Sequence, residues 1–152
     1  MARVIQTPSF GGAPRRITSI LGSGTYVVPD DISVIKVIVT GGGGGGGSHN
    51  TDDAQGGGGA GGTSIKIINV IPGTQYYCTI GGGGSASVGN TNGGGGTGGS
   101  SSFGSECSAT GGTGTPQWAI GGRGGVGSGA HAGTTNDGTP GMQGAVVIEE
   151  YQ

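Results

Sequence analysis

Residues 32–47 read ISVIKVIVTGGGGGGG, so a run of β-branched residues passes directly into seven glycines. Successive side chains of a strand point to opposite faces, so Ile35, Val37 and Val39 share one face and Lys36 lies on the other. The period of two predicts a β-strand over 32–40. The glycine run that follows cannot form an α-helix, because each glycine in a helix interior costs about 1 kcal/mol relative to alanine.

The same alternation recurs along the chain, and no window shows helical apolar spacing without a glycine interruption. Turn residues separate the apolar runs, as at Pro29-Asp30-Asp31 and Pro72-Gly73. The sequence therefore predicts an all-β chain, a small antiparallel β-sandwich framework with long glycine-rich insertions at 41–62, 81–99 and 111–144. Further strands are expected at 16–21, 24–28, 63–70, 74–80, 101–110 (broken around Phe103 and Cys107), 117–120 (very short) and 145–151.

Glycine accounts for 43 of the 152 residues. Collagen is excluded because no Gly-X-Y period is sustained, and charged disorder is excluded by the low charge and the apolar strands. Extended helices of three residues per turn can pack side by side and satisfy one another's backbone groups. We expect some tracts to pack as such polyglycine-II-like helices; mobile loops are the alternative. The spacing of Arg123 and Val126 within 121–129, and the tract 56–62, suit this geometry.

Charged residues make up 9% of the chain and the net charge is -2. The six basic residues are scattered, apart from Arg15-Arg16, so we expect no nucleic-acid partner. No apolar run is long enough for a membrane-spanning helix, and 1–6 does not resemble a secretory signal, so synthesis in a cytoplasm is expected. Cys78 and Cys107 are interpreted as buried thiols, with a disulfide as the alternative.

The sequence contains no HExxH, GxSxG or P-loop motif, so we expect no enzyme activity, no cofactor and no metal. His49 lies near Asp52 and Asp53, which suggests either a cation site or solvated loop residues, and the second interpretation is favoured. Glu149 and Glu150 are successive strand residues, so they are expected to alternate between faces. Tyr76 and Tyr77 are successive too, so only one of them can face the core.

Polar and aromatic residues gather at the tips of the glycine-rich insertions. Loops rich in Ser, Asn and Thr with a few aromatics are typical of binding surfaces. Trp118 could stack on a sugar or a lipid A face, or fill the core. The candidate contact residues are His49, Asn50, Asp52, Asp53, Asn90, Asn92, Gln117, Trp118, His131 and Asn136.

The strand-and-glycine pattern resembles the glycine-rich domain of phage tail-fibre and tail-tip proteins. The resemblance covers roughly residues 22 to 151. It rests on GTYVVP at 24–29 followed by VIVTGGG at 37–43, IPGTQYYCTIGGGG at 71–84, GSSSFG at 99–104 with ATGG at 109–112, and GAVVIEEY at 144–151. The glycine-rich adhesins of T-even-type phages are similar in physics, since they display variable receptor-binding loops on polyglycine helices.

The resemblance implies a virion protein at a tail-fibre or tail tip that binds a host cell-surface protein or glycan through the loop tips. It implies a homotrimer, because fibres usually are trimers. The lack of a long apolar run predicts no membrane insertion. Residues 1–21 would attach the domain, 22–151, to another tail or fibre protein. The alternatives are a head-fibre or capsid decoration protein and, less favoured, a polyglycine-helix protein such as an ice-binding one.

Overall fold

The computed structural model describes residues 12–48, 56–88, 93–115 and 138–152. These residues form eight strands in two antiparallel four-stranded sheets that pack as a small sandwich. Sheet A has the order β1-β8-β3-β4 and sheet B the order β2-β5-β6-β7. The strands are β1 (Arg16–Ile20), β2 (Gly24–Val27), β3 (Val34–Thr40), β4 (Thr63–Asn69), β5 (Gln75–Thr79), β6 (Ser101–Phe103), β7 (Cys107–Ala109) and β8 (Ala145–Tyr151).

The centre of sheet A is formed by β3 and β8, the two strands with neighbours on both sides. Ile35, Val37 and Val39 are fully buried, which confirms the face predicted from their spacing. On β8, Val146 and Ile148 are fully buried beside them. Each fully buried side chain of this size contributes about 1.5–3 kcal/mol by leaving water, so this apolar layer fixes the strand register.

Sheet B packs its aromatic residues against that layer. Phe103 is fully buried, and its ring stacks on Tyr76 at a centroid distance of 4.7 Å. Tyr77 is 59% exposed, so only one of the two successive tyrosines enters the core, as predicted. Cys78 and Cys107 flank Phe103 on neighbouring strands and are free, buried thiols, which confirms that interpretation and excludes a disulfide.

Tight turns close the sandwich at the end away from the glycine tracts, here called the proximal end. In the turn between β4 and β5, the amide of Thr74 donates to the carbonyl of Ile71 at 3.1 Å. Gly73 has a φ of 80°, a conformation that side chains disfavour. The predicted broken strand at 101–110 is a hairpin of β6 and β7, turned at Gly104 with a φ of 50°. The short strand predicted at 117–120 lies outside the described residues.

A buried carboxylate connects the two sheets. Glu150 is 1% exposed on the inner face of β8, whereas Glu149 lies on the outer face, as the alternation predicts. Glu150 accepts hydrogen bonds from Arg16 Nε at 2.6 Å, Thr18 Oγ1 at 3.0 Å and the hydroxyl of Tyr26 at 3.1 Å. Because Tyr26 belongs to β2 and the other partners to β1, this cluster joins sheet B to an edge strand of sheet A.

The hydroxyl of Tyr26 makes stability depend on pH in alkaline solution. Burial, followed by the charge of Glu150, raises the pKa of Tyr26 above its ordinary value. A raised folded-state pKa gives stability that is complete below the unfolded pKa of about 10 and is lost as pH rises beyond it. We expect the wild-type free energy of unfolding, measured by urea denaturation, to fall more steeply above pH 10 than that of Tyr26→Phe. Tyr77→Phe, which alters an exposed ring, should follow the wild type; an identical slope for Tyr26→Phe would contradict the prediction.

Only the later half of the predicted N-terminal attachment segment, 1–21, is described. Within it, Arg16–Ile20 forms β1 and is hydrogen-bonded to β8, so this part belongs to the sandwich. Its attachment role stays a prediction. Across the four described ranges, no helix has the length and apolar character needed to cross a membrane.

Candidate functional site

Six glycine-rich tracts continue the sandwich beyond the ends of β3 to β8. Each tract that leaves the sandwich is followed by one that returns to it, so their directions alternate along the chain. We number them tract 1 (41–48), tract 2 (56–62), tract 3 (81–88), tract 4 (93–99), tract 5 (110–115) and tract 6 (138–144), and call them together the glycine bundle.

Tract 1 lies at the centre of the bundle. Its successive backbone amides donate in turn to three neighbouring tracts, and the order repeats every three residues. Three residues per turn is the period of polyglycine II, so the expected packing of tracts is confirmed and occurs within one chain. The donors are Gly41, Gly44 and Gly47 toward tract 2, Gly42, Gly45 and Ser48 toward tract 4, and Gly43 and Gly46 toward tract 6, at N···O distances from 2.8 to 3.2 Å.

The carbonyls of tract 1 bind the two remaining described tracts. Gly42 and Gly45 accept from tract 5, and Gly43 and Gly46 accept from tract 3, again three residues apart. The outer tracts are also hydrogen-bonded to one another, in the order 2, 5, 4, 3, 6 around the centre. Each backbone bond adds about 0.5–1.5 kcal/mol, which offsets the entropy lost when glycine is ordered.

The close approach of the tracts leaves no room for side chains toward the centre. A Cβ placed on Gly45 would overlap the carbonyl oxygen of Ser85, and one placed on Gly44 would overlap that of Thr113. Exposed positions recur every third residue at 82, 85 and 88 in tract 3, where Gly83 is exposed as well, and at 94 and 97 in tract 4, followed by Ser100. A side chain is therefore accepted at outward positions such as Gly82, whereas inward glycines such as Gly44 and Gly45 have no room for one.

The three-residue spacing that predicts packed helices at 56–62 and 121–129 also occurs elsewhere in the sequence. Thr97 and Ser100 stand three apart with two glycines between them, and so do Thr110 and Thr113. Thr97, Ser100, Thr110 and Thr113 are all exposed. Counting the spacing of the few non-glycine residues would have identified tracts 4 and 5 as helices of the same kind.

The far end of the bundle, here called the distal end, gathers residues from all six tracts. Ser48 exchanges backbone hydrogen bonds with Gly93 at 3.0 and 3.1 Å, and its hydroxyl lies 2.9 Å from that of Ser87. The amide of Gly138 donates to the carbonyl of Ser87 at 2.9 Å. The hydroxyl of Thr115 donates to the carbonyl of Gly56 at 2.9 Å, so tract 5 is fixed to tract 2.

Three segments outside the described residues connect the tracts at this distal end: 49–55, 89–92 and 116–137. All ten candidate contact residues lie in these segments. The structure therefore describes the base from which they depart and not the residues themselves, and their contact role stays a prediction. His49, Asn50, Asp52 and Asp53 belong to the first segment, Asn90 and Asn92 to the second, and Gln117, Trp118, His131 and Asn136 to the third.

The charged side chains among the described residues lie on the sandwich, where four ion pairs form. Arg15 pairs with Asp31 at 2.8 Å beside a shallow pocket that Arg15, Arg16 and Asp31 line. Arg16 is engaged with Glu150, whose hydrogen bond and charge raise the pKa of Arg16 further. Within the described ranges no three histidine, cysteine or carboxylate side chains stand together as metal ligands would. The distal end, from which the segments with the predicted contact residues depart, is the candidate site.

Comparison with known proteins gives a family for the chain. A comparison with curated proteins finds no match. The model of a family described as a glycine-rich domain matches residues 18–149, which include every strand from β2 to β7 and all six tracts. Because this match covers most of the 152 residues, the chain belongs to that glycine-rich domain family.

Proposed function

We propose that the chain is a phage virion protein of a tail-fibre or tail tip, which binds a receptor on the host cell surface through the three distal segments. The observation that carries the proposal is the convergence of their ends: Ser48, Gly56, Ser87, Gly93 and Thr115 are joined by hydrogen bonds at one end of the bundle. The proposal therefore assigns the three segments to one common contact surface.

The bundle suits this role because backbone hydrogen bonds join its central tract to all five surrounding tracts. Binding loops lose affinity when they must be ordered on contact, and a fixed base lowers that cost. Tract 1 is buried along its whole length, and its neighbours hold it at intervals of three residues. Variation in the segments would leave this base intact, since no tract requires a particular side chain in them.

The composition of the segments supports contact with a protein loop or a glycan. They combine amides, hydroxyls and carboxylates with imidazole and indole rings, and such sets form adaptable hydrogen bonds beside rigid apolar anchors. The carrier of the domain would be another tail or fibre protein, reached through residues 1–21, and the copies would form a trimer. The chain would act in the virion, after synthesis in the host cytoplasm, as a binder and not as an enzyme.

The test exchanges the distal segments and measures binding to bacteria. We expect the fluorescently labelled wild-type protein to bind saturably to some members of a panel of Gram-negative and Gram-positive cells. Replacing 49–53, 90–92 or 117–118 with Gly-Ser stretches of equal length should reduce this binding at least tenfold for one or more segments. The thermal unfolding midpoint should stay within a few degrees, because the bundle contacts are unchanged.

The control is Ile71→Ser at the proximal end, an exposed position that should leave binding unchanged. Binding that survives exchange of all three segments would overturn the proposed site. Immunogold labelling of virions locates the protein: gold at the tail supports the proposal. Gold on the head overturns it in favour of a head-fibre or decoration protein.

A further inference from the structure

The five outer tracts surround tract 1 incompletely. In the order 2, 5, 4, 3, 6 each tract is hydrogen-bonded to the next, whereas no backbone bond among the described residues joins tract 6 to tract 2. Tract 1 alternates around this order, since it donates to tracts 2, 4 and 6 and accepts from tracts 5 and 3. The alternation calls for one further donor between tracts 6 and 2, and we call this position the bundle groove.

The floor of the bundle groove consists of carbonyls of tract 1. Two of the three sets of these carbonyls accept from tracts 5 and 3, while the third set, which includes Gly41 and Gly44, accepts from no described residue. A Cβ placed on Gly58 of tract 2 would overlap the carbonyl oxygen of Gly44, and one placed on Gly141 of tract 6 would lie 2.7 Å from it. That oxygen therefore lies between the two tracts.

One wall of the groove consists of amides of tract 2, which take three directions because the tract repeats every three residues. Those of Gly59 and Gly62 donate to tract 5, and Ala60 is exposed on the outside of the bundle. The third direction, taken by Gly58 and Gly61, leads to the groove, and no described carbonyl accepts from either residue. We call these two the groove amides.

The backbone groups of the groove are buried, although no described residue pairs with them. Gly41 and Gly44 on the floor and Gly58 and Gly61 on the wall are all buried. Buried amides and carbonyls are almost always hydrogen-bonded, because an unpaired one has lost its bonds to water without replacement. The groove therefore requires a partner with donors and acceptors at every third residue, which is the pattern of another polyglycine-II tract.

We propose that residues 121–129 of the same chain occupy the bundle groove as a seventh tract. They read GGRGGVGSG, so pairs of glycines alternate with Arg123 and Val126 at an interval of three. With these glycines toward the bundle, both side chains face outward. The other stretches outside the described residues do not fit: 1–11 has no glycine before its last position, and 49–55 and 89–92 are too short to enter the groove and return.

The length of the stretch 116–137 suits this path. Its neighbours Thr115 and Gly138 both lie at the distal end, so the chain has to pass along the groove and come back. The eight residues of tract 1 span about 25 Å at about 3.1 Å per residue, and 121–129 span about 28 Å. Residues 130–137 reach about 26 Å when extended, which is enough to return to Gly138.

Residues 121–129 then belong to the scaffold, which deepens the proposed function. Gln117 and Trp118 precede the tract and stay near the distal end, whereas His131 follows it and lies nearer the sandwich. This division of the contact residues rests on the proposed receptor role. His131→Ala should therefore leave cell binding unchanged, and a measurable loss of binding would contradict the path.

Hydrogen exchange of the full chain, followed residue by residue by NMR, tests the seventh tract without reference to a receptor. The groove amides should exchange about a hundredfold more slowly than the amide of Ala60, because hydrogen bonds to 121–129 would protect them. Gly59 and Gly62, which donate to tract 5, should be protected as well. Exchange of the groove amides as fast as that of Ala60 in the wild type would overturn the proposal.

Two matched variants identify the occupant of the groove. The first combines four changes that leave the tract no face without side chains: Gly121→Ala, Gly122→Ala, Gly124→Ala and Gly125→Ala. In this variant the groove amides should lose their protection, while the amides that donate to tract 5 keep theirs and show that tract 2 stays folded. The second, Arg123→Ala with Val126→Ala, changes only outward positions and should leave the groove amides protected.

The outcomes separate this proposal from the receptor role. Groove amides that stay protected in the first variant overturn the seventh tract and assign the groove to another occupant, such as a second copy of the chain. Unprotected groove amides in a wild-type chain that binds cells overturn the seventh tract alone. Protected groove amides that respond to the first variant, in a chain that binds no cells, support the seventh tract and contradict the receptor role alone.

Discussion

Gly45→Ala is expected to lower the free energy of unfolding by about 3 kcal/mol, the upper end of what overpacking by one methyl group costs. Gly45 belongs to the central tract, and the new Cβ would overlap the carbonyl oxygen of Ser85 and approach that of Gly84 to 2.9 Å. Neither backbone can move aside cheaply. The amide of Gly45 donates to Gly96 at 2.8 Å, and its carbonyl accepts from Thr115 at 3.1 Å, so a shift would break bonds to other tracts.

Gly82→Ala is the matched control for this prediction. Gly82 lies in tract 3 at an outward position, and a Cβ there would meet no atom within 4 Å. The substitution should leave stability unchanged or raise it by about 0.4–1 kcal/mol, because alanine restricts the unfolded chain. Urea denaturation with unchanged m values measures both variants. Equal destabilisation of the two would show that position within the triplet does not matter and would contradict the packing described for the bundle.

The presence or absence of side chains explains how far the sequence could predict the fold. The strand at Ile35, Val37 and Val39 was predictable because side chains of period two show which face is buried. A glycine carries no side chain, so the sequence does not show which way a glycine faces. The sequence predicted that some tracts would pack, but the choice of neighbours, such as Gly45 with Gly96, depends on three-dimensional contacts between identical residues.

The candidate site was predictable in part for a related reason. The sequence predicted glycine-rich insertions with polar tips, and the residues that lead into those tips, Ser48, Ser87 and Thr115, lie at one end of the bundle. What could not be predicted is the pairing at those ends, because serine and threonine are common in any loop. The Ser48–Ser87 contact joins residues 39 positions apart.

Glu150 shows a second kind of limit. Alternation predicts that Glu149 and Glu150 face opposite ways, yet it does not say which of them is buried. The deciding partner is Arg16, 134 residues away in sequence, and no local pattern links the two. The pair at Arg15-Arg16 likewise gives no sign of its partners in the sequence, yet both arginines form ion pairs within the chain.

Glu150→Ala should lower the free energy of unfolding by about 3 kcal/mol, because removing one partner from a buried charged cluster leaves the others unsatisfied. The loss falls mainly on Tyr26, which is 6% exposed and would keep a buried hydroxyl without its acceptor. Arg16 loses less, since its side chain is 52% exposed and can be hydrated.

Glu149→Ala is the control on the same strand. It removes a carboxylate that pairs with Lys36 on the outer face, where both side chains keep contact with water, so a loss of about 0–1 kcal/mol is expected. Adding Tyr26→Phe to each variant completes the test. With Glu150→Ala the second change should cost little, giving a coupling of about 1–2 kcal/mol, whereas with Glu149→Ala the effects should add. Additive losses for Tyr26 and Glu150 would mean that their hydrogen bond does not hold sheet B to β8, and that apolar packing alone joins the two sheets.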